Sequence, residues 1–469
     1  MTESDLLLVQ PPIFSRLSPS PDVALLQAQL RRAGVRTRVH DSSSSVRRAL
    51  KERGSTWHDN ADPEADDFLA ADPKFIPADL EPFLDREARG IAGSGAALVY
   101  LLVQVVTERC ALELARRVEG HGRESFVVVG GPQCTREAGA AELLAAPGVA
   151  ASVHPGGVRL SLLSGPRAAP HGPGDPLPGM LVKRDGRVLD GGDPKRELDL
   201  DALPFMDFSG FDMDDYPSGQ LFLSASRGCV RQCSFCDRDK TYRRMTAGRV
   251  AAEIRHQLAL YPSKHFVRFA DDMINSDCAL LGRLSASLAE IRLEMAVRRG
   301  SRDFGWSALA LIRPEMTAEL LRAMRRGGCR LLAYGLESGC QKTVDAMGKG
   351  FQLEVARRVF RQTKAAGIRV QVFVIAGFPG ETEEDFQETL SFLESNADSI
   401  DVVSPYICAV TKGSLLDARG RELSLALDPS DLHGWASLDE SNTFALRKAR
   451  FLALQETIRR LGFENPNCP

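Results

Sequence analysis

Apolar residues in this chain fall into short runs that alternate with helically spaced segments, and the alternation occurs twice. In the first portion Leu6 to Val9 is a compact apolar run. Val23 to Ala33 repeats apolar positions at helical spacing and stops at Gly34, and Val35 to Val39 is β-branched and leads to Asp41. The pattern continues with Ala97 to Val103, a helical stretch from Glu108 to Val118, the run Ser125 to Val129 entering Gly130-Gly131-Pro132, and a last unit at Val149 to Val153. Strand and helix signals in succession predict an α/β fold, a doubly wound parallel sheet of Rossmann-like build with a ligand crevice at the carboxyl ends of its strands.

The second series is longer. Strand signals lie near Leu221 to Ala225, Phe266 to Ala270, Phe304 to Ala310, Leu331 to Leu336, Val370 to Ala376 and Ile400 to Tyr406. Helical spacing fills the gaps at Ala251 to Leu260, Leu280 to Leu293, Ala318 to Arg325, Leu353 to Ala366 and Glu383 to Glu394. Six such units predict a partial (β/α)6 barrel, in which chemistry gathers at the carboxyl ends of the strands. Between Gly165 and Gly219 the composition shifts to Pro, Gly and Asp, a linker pattern, within which Met180 to Leu189 reads as a hairpin about Asp185-Gly186. Ser42 to Ser45 and Asp62 to Asp72 lack apolar periodicity and read as surface loops. Beyond Val410 a loop-rich stretch with Trp435 precedes a helical segment from Thr443 to Leu461 with basic Arg447, Lys448 and Arg450, expected to pack on a core with a solvated face, or else to close the barrel mouth and select substrate. The expected organisation is a Rossmann-like domain at 1–165, a linker with a β-hairpin at 166–218, a barrel at 219–410 and a small, mostly helical region at 411–469.

Composition narrows the function. Of 469 residues 43% are hydrophobic, enough for more than one core, and the 59 basic against 62 acidic residues leave a net charge of −3. Such a balance gives no general attraction to nucleic acid or to an anionic membrane. No segment reaches about 18 uninterrupted apolar residues and the N-terminus lacks a basic leader, so the expectation is a soluble, cytoplasmic protein.

The densest chemistry is Arg227-Gly-Cys229-Val-Arg-Gln-Cys233-Ser-Phe235-Cys236-Asp, three thiols within eight residues directly after the first barrel strand. Clustered thiolates suit zinc or an iron–sulfur cluster. A structural zinc site is normally closed by four protein ligands, and no further Cys or His pair stands nearby to complete one. The other seven cysteines are scattered without paired spacing and read as small buried residues.

The spacing Cys-x-x-x-Cys-x-x-Cys, with an aromatic before the last cysteine, resembles the signature of the radical S-adenosylmethionine (SAM) enzymes. The resemblance implies a [4Fe-4S] cluster on Cys229, Cys233 and Cys236, with an open iron that chelates SAM, whose reductive cleavage yields a 5′-deoxyadenosyl radical. Further motifs follow in family order at the strand ends. Phe269-Ala-Asp271-Asp272 offers carboxylates to the SAM amino group, and Tyr334-Gly-Leu-Glu337-Ser338-Gly offers a polar pair to the ribose or the ammonium. Gly377-Phe378-Pro-Gly-Glu-Thr, with Phe373 in place of the family's first glycine, puts bare backbone and a ring beside adenine, and Phe235 is a further candidate against that base. Each of these segments also serves as an ordinary turn or helix cap.

The first portion in turn resembles the cobalamin (B12)-binding domain found in many radical SAM enzymes, with Gly130, Gly131 and Pro132 at that domain's glycine pair. The Asp-x-His-x-x-Gly motif that supplies an axial histidine is absent, and His154-Pro-Gly-Gly stands where an acidic residue often follows the last strand. Together the resemblances imply cobalamin-dependent methylation of an unactivated carbon in a small molecule, natural product or peptide, fed by an external one-electron reductant such as flavodoxin or ferredoxin. Cyclisation, rearrangement or aminocarboxypropyl-type transfer fits the same scaffold, and a non-catalytic iron–sulfur or cobalamin redox sensor is the alternative of another class. A methylthiotransferase is disfavoured because no second three-cysteine cluster precedes Cys229. No residue is nominated as final hydrogen donor or acceptor; Tyr334 and Cys340 fall near the expected active face, with structural roles expected.

Overall fold

The computed structural model describes residues 6–12, 15, 17–52, 80–104, 107–121, 126–135, 139–154, 176–192, 199–299, 303–428 and 431–465. The expected loop at 62–72 lies outside them. The described chain divides into two compact units at Ser218 and Gly219.

In the first unit β1 (Leu6–Gln10), β2 (Thr37–Asp41), β3 (Leu98–Leu102), β4 (Phe126–Gly130) and β5 (Ala151–Val153) pair in parallel in the order β2-β1-β3-β4-β5. β1 and β3 are buried at every position, as befits strands covered on both faces. The covering helices are α1 (Pro21–Arg32), α2 (Ser42–Glu52), α3 (Glu81–Gly93), α4 (Glu108–Gly120) and α5 (Ala140–Ala145). Ser20 caps α1 by accepting the Val23 amide, with Pro21 preset at the first helical position. Strand order reverses between β1 and β3, which puts the switch-point crevice at their carboxyl ends.

Two sequence expectations change here. The expected hairpin forms as β6 (Met180–Arg184) and β7 (Arg187–Asp190) about Asp185 and Gly186, both at positive φ, yet it is part of the domain sheet, with β6 antiparallel to β5. The expected loop at Ser42 to Ser45 is the first turn of α2. Asp41 caps it by accepting the Ser44 amide at 3.1 Å, and the serine hydroxyls meet distant carboxylates: Ser44 bonds Asp215, and Ser45 bonds Glu87 at 2.7 Å. Those partners lie more than 40 residues away, beyond any local pattern.

In the second unit six strands, β8 (Gln220–Leu223), β11 (Phe266–Phe269), β12 (Gly305–Ala310), β13 (Cys329–Glu337), β14 (Arg369–Ala376) and β15 (Val402–Ile407), pair in parallel strictly in chain order. A short antiparallel clip, β9 (Ser226–Arg227) with β10 (Arg243–Arg244), closes the loop that carries the three cysteines. Between the sheet strands run α6 (Ala247–Leu260), α7 (Cys278–Arg299), α8 (Ala318–Arg326), α9 (Gln341–Ala346), α10 (Leu353–Ala365) and α11 (Glu383–Ser395). This is the expected partial barrel, with β8 and β15 at its edges.

The tail is less helical than expected. After α12 (Leu415–Ala418), β16 (Leu425–Asp428) and β17 (Asp431–Ser437) form an antiparallel hairpin carrying Trp435, and only then does α13 (Phe444–Leu461) pack on β14 and β15. Thr443 caps α13 through the Leu446 amide. Among the described residues no helix is long and apolar enough to cross a membrane.

Candidate functional site

The cysteine loop leaves β8 and turns at Gly228, where φ is +77° and a side chain would strike the Thr241 carbonyl. Its backbone is fixed from three sides: Cys229 N–H donates to Asp239 O at 2.8 Å, Ser234 N–H to Met347 O at 2.9 Å, and Leu416 N–H to Ser234 O at 2.8 Å. Cys229 and Cys233 are buried and Cys236 is half-buried. Burial pushes all three thiols above the ordinary range. Cation binding would reverse that, since a metal takes the thiolate and releases its proton.

Among the described residues no group of three or more His, Cys, Asp or Glu side chains converges on the position of a single metal ion. In a cubane each thiolate would take a different iron.

The segment Met347-Gly348-Lys349-Gly350 lies directly on this loop. A Cβ at Gly348 would stand 3.4 Å from Gln232 O and 4.0 Å from Cys233 Cα, and one at Gly350 would stand 2.5 Å from an Arg231 terminal nitrogen. Between these glycines, both at positive φ, the buried Lys349 donates to Glu337 at 3.0 Å and stands 5.6 Å from the centroid of the Phe235 ring. Burial alone would lower its pKa, but Glu337 and the neighbouring Cys233 hold the ammonium above the usual lysine range. Glu337 is presented by a register break between β13 and β14 and sits at φ +66°, rare for a residue with a side chain. Ser338, by contrast, is spent internally: its hydroxyl pairs with Thr389 at 3.0 Å and receives the Cys340 amide.

The carboxylate pair is split. Asp271 is buried and accepts from Ala225 N–H at 2.9 Å and from the Ser226 hydroxyl, so it anchors the root of the cysteine loop. Burial, opposed by these bonds, raises its pKa to about 7. Asp272 remains half-buried, 3.5 Å from Arg238 of the cysteine loop. Tyr334 and Cys340 have the structural roles expected, bonded to Thr363 at 2.9 Å and to Asp385 at 3.3 Å.

At the end of β14, Gly377 sits at φ +82° and its amide donates to Glu381 at 2.8 Å. Phe378 is buried with Met347, Cys408, Val410, Leu416, Leu425 and Trp435, and Phe235 packs against the same cluster. The two aromatic candidates, 143 residues apart in sequence, are thereby brought to one apolar patch. The tail clamps this turn. Arg447 is fully buried, its guanidinium carbon 3.7 Å from the Trp435 ring centroid, donating to the carbonyls of His433 and Trp435, while its stem fills the space above Gly377. Arg450 pairs with buried Glu381 at 3.1 Å, and Asn442 donates to the carbonyls of Gly377 and Phe378. The expectation that Arg447 and Arg450 face solvent is therefore corrected: glycine at 377 leaves room for one, and Glu381 draws in the other. Lys349 was also not singled out from sequence, although its two flanking glycines were a signal.

In the first unit Gly130 and Gly131 close β4 near the switch-point crevice. The space a Cβ would take at Gly130 holds the Tyr100 ring, 2.5 Å away, and one at Gly131 would strike the Val103 carbonyl. The chain's own packing thus requires both glycines. His40 is held by Glu87 at 2.8 Å, and no histidine follows β1, β3 or β4 closely.

Residues 223–393 match the model of the radical SAM superfamily, so the chain carries a radical SAM domain. An uncharacterized methyltransferase of Pyrococcus horikoshii is 23% identical over 49% of this chain and 50% of its own length. A ribosomal protein uS12 methylthiotransferase of Chlorobium phaeobacteroides is 28% identical over 37% of this chain and 40% of its own. The chain thus spans half or less of these curated relatives. The radical SAM methyltransferase TsrM from Kitasatospora setae, solved with cobalamin and a [4Fe-4S] cluster bound, superposes with a TM-score of 0.68 at 16% identity, covering 96% of this chain and 85% of that one. At that identity the likeness establishes a shared fold across both units.

Proposed function

We propose that this chain is a radical SAM enzyme that methylates an unactivated carbon of a small molecule or peptide with cobalamin as methyl carrier. Cys229, Cys233 and Cys236 would hold a [4Fe-4S] cluster, and Gly130 to Pro132 would border cobalamin at the crevice of the first unit. When bound, these groups supply one-electron cleavage of SAM, hydrogen abstraction and methyl delivery.

The observation that carries the reading is the convergence of the cysteine loop, with Cys229 and Cys233 buried, the re-aimed Glu337 and the Gly377-Phe378 turn at the carboxyl ends of one parallel sheet. Glu337 is free to accept hydroxyl or ammonium hydrogen bonds on the side away from Lys349. Asp272 is better disposed than Asp271 toward a ligand ammonium, because both Asp271 oxygens already serve the cysteine loop. Phe235 and Phe378 offer ring faces, and the Trp435 hairpin keeps water from the turn. Likeness to TsrM supports cobalamin, and the first unit would have to hold it without a histidine ligand. Methylthio transfer is disfavoured, since before Cys229 the sequence has only Cys110 and Cys134, both buried in the core of the first unit.

Anaerobic reconstitution tests the reading. About four irons per chain, as one cubane requires, and dithionite-dependent 5′-deoxyadenosine are expected, with both lost in Cys233→Ala. A complete cluster that never cleaves SAM would refute the enzyme. A corrinoid absorption spectrum tests cobalamin separately, and its absence would remove methyl transfer alone.

A further inference from the structure

An ammonium is buried beside the cysteine loop. Lys349 shows 6% of its side chain and Glu337 9%, so both charges are withdrawn from water, a costly arrangement that a neutral pair would avoid. The pair is oriented. Lys349 lies over Phe235, the residue before Cys236, and its backbone neighbour Gly348 rests on Cys233, whereas Glu337 is presented from the end of β13.

We propose that Lys349, held by Glu337, raises the reduction potential of the cluster carried by Cys229, Cys233 and Cys236. The inference rests on the cluster assignment made above and extends it to a residue with no part in ligation. A reduced cubane carries one more negative charge than the oxidised one, so a fixed positive charge nearby stabilises the reduced state. Little water intervenes to screen it. Lys240 provides an internal control: it touches the Cys236 carbonyl at 3.2 Å but is exposed, and its charge is screened. Lys349 is thus a positioning residue for charge, acting through the cluster.

The test is an EPR-monitored dithionite titration of the full chain, reconstituted anaerobically without SAM or cobalamin, for wild type, Lys349→Met, Lys349→Arg and Lys240→Met. Lys349→Met is expected to lower the equilibrium for reduction at least tenfold, which for a one-electron couple is about 59 mV. Lys349→Arg and Lys240→Met should stay near wild type. If Lys349→Met loads iron poorly, the neutral pair Lys349→Met/Glu337→Gln removes the same oriented charge without leaving a buried carboxylate, and the same downward shift is expected. Equal midpoints at equal iron content in wild type and in Lys349→Met, or in Lys349→Met/Glu337→Gln where the single variant loads poorly, would overturn the proposal. A wild-type chain that assembles no cubane would instead overturn the cluster assignment itself.

Discussion

Replacing Gly377 by alanine should destabilise the second unit in the absence of any ligand. A Cβ there would stand 2.7 Å from Arg447 Cδ and closer still to Cγ, and the residue must hold φ +82°. Left-handed backbone costs a residue with a side chain about 1–2 kcal/mol, and forced overpacking about 1–3 kcal/mol, which together give about 2–5 kcal/mol. Arg447 cannot retreat, because it is stacked on Trp435 and bonded to three backbone carbonyls. In an Arg447→Ala background the two closest contacts disappear and only the Cβ remains, 3.1 Å away, so Gly377→Ala should then cost mainly the backbone share, leaving a coupling of about 1–3 kcal/mol. Urea unfolding followed by tryptophan fluorescence in a Trp57→Phe background measures this, since Trp306 and Trp435 both lie in the second unit. Additive costs for the two substitutions would refute the reasoning and leave a ligand as the reason for the glycine.

Arg450→Met removes the cation from Glu381, whose side chain is 1% exposed and whose pKa burial raises to about 7, and should cost up to about 3 kcal/mol in the same unfolding assay above pH 7, where a buried charge is left unpaired, and less below it. Asp271 is raised to about 7, mainly by burial, so between about pH 4 and 7 the native chain keeps a proton that the unfolded chain has lost. The stability it contributes is therefore full below about pH 4 and is lost as pH rises through 7. Relative to Asp271→Asn, the wild-type urea midpoint should fall between pH 5 and pH 8, and parallel curves would contradict this. In the first unit Gly130→Ala drives a methyl into the Tyr100 ring and should cost about 1–3 kcal/mol by urea unfolding without cobalamin, with relief in a Tyr100→Ala background.

The barrel strands and the long helices between them were legible because each buried strand is a continuous apolar run and the long helices carry a cap or an apolar stripe, whereas α3, α5 and α9 were not read from the sequence. All six barrel strands lie where the runs at Leu221, Phe266, Phe304, Leu331, Val370 and Ile400 placed them. The cysteine motif needed no structure, because all three thiols lie on one local loop. What failed was every feature whose partner is remote. Ser42 to Ser45 reads as a polar loop until Glu87 and Asp215 are seen to receive it. Arg447 and Arg450 read as a solvated face until Gly377 and Glu381 are placed beneath them.

The sequence by itself determined the α/β alternation and the identity of the cysteine loop, both set by short-range patterning and spacing. Tertiary structure alone decided how the strand-end polar groups divide their labour: Asp271 and Ser338 turned inward, Glu337 re-aimed by a register break, and Lys349 buried against it. The reason is physical. A polar side chain's role depends on whether burial leaves its hydrogen bonds to the chain or to a ligand, and burial is a property of contacts between segments far apart in sequence.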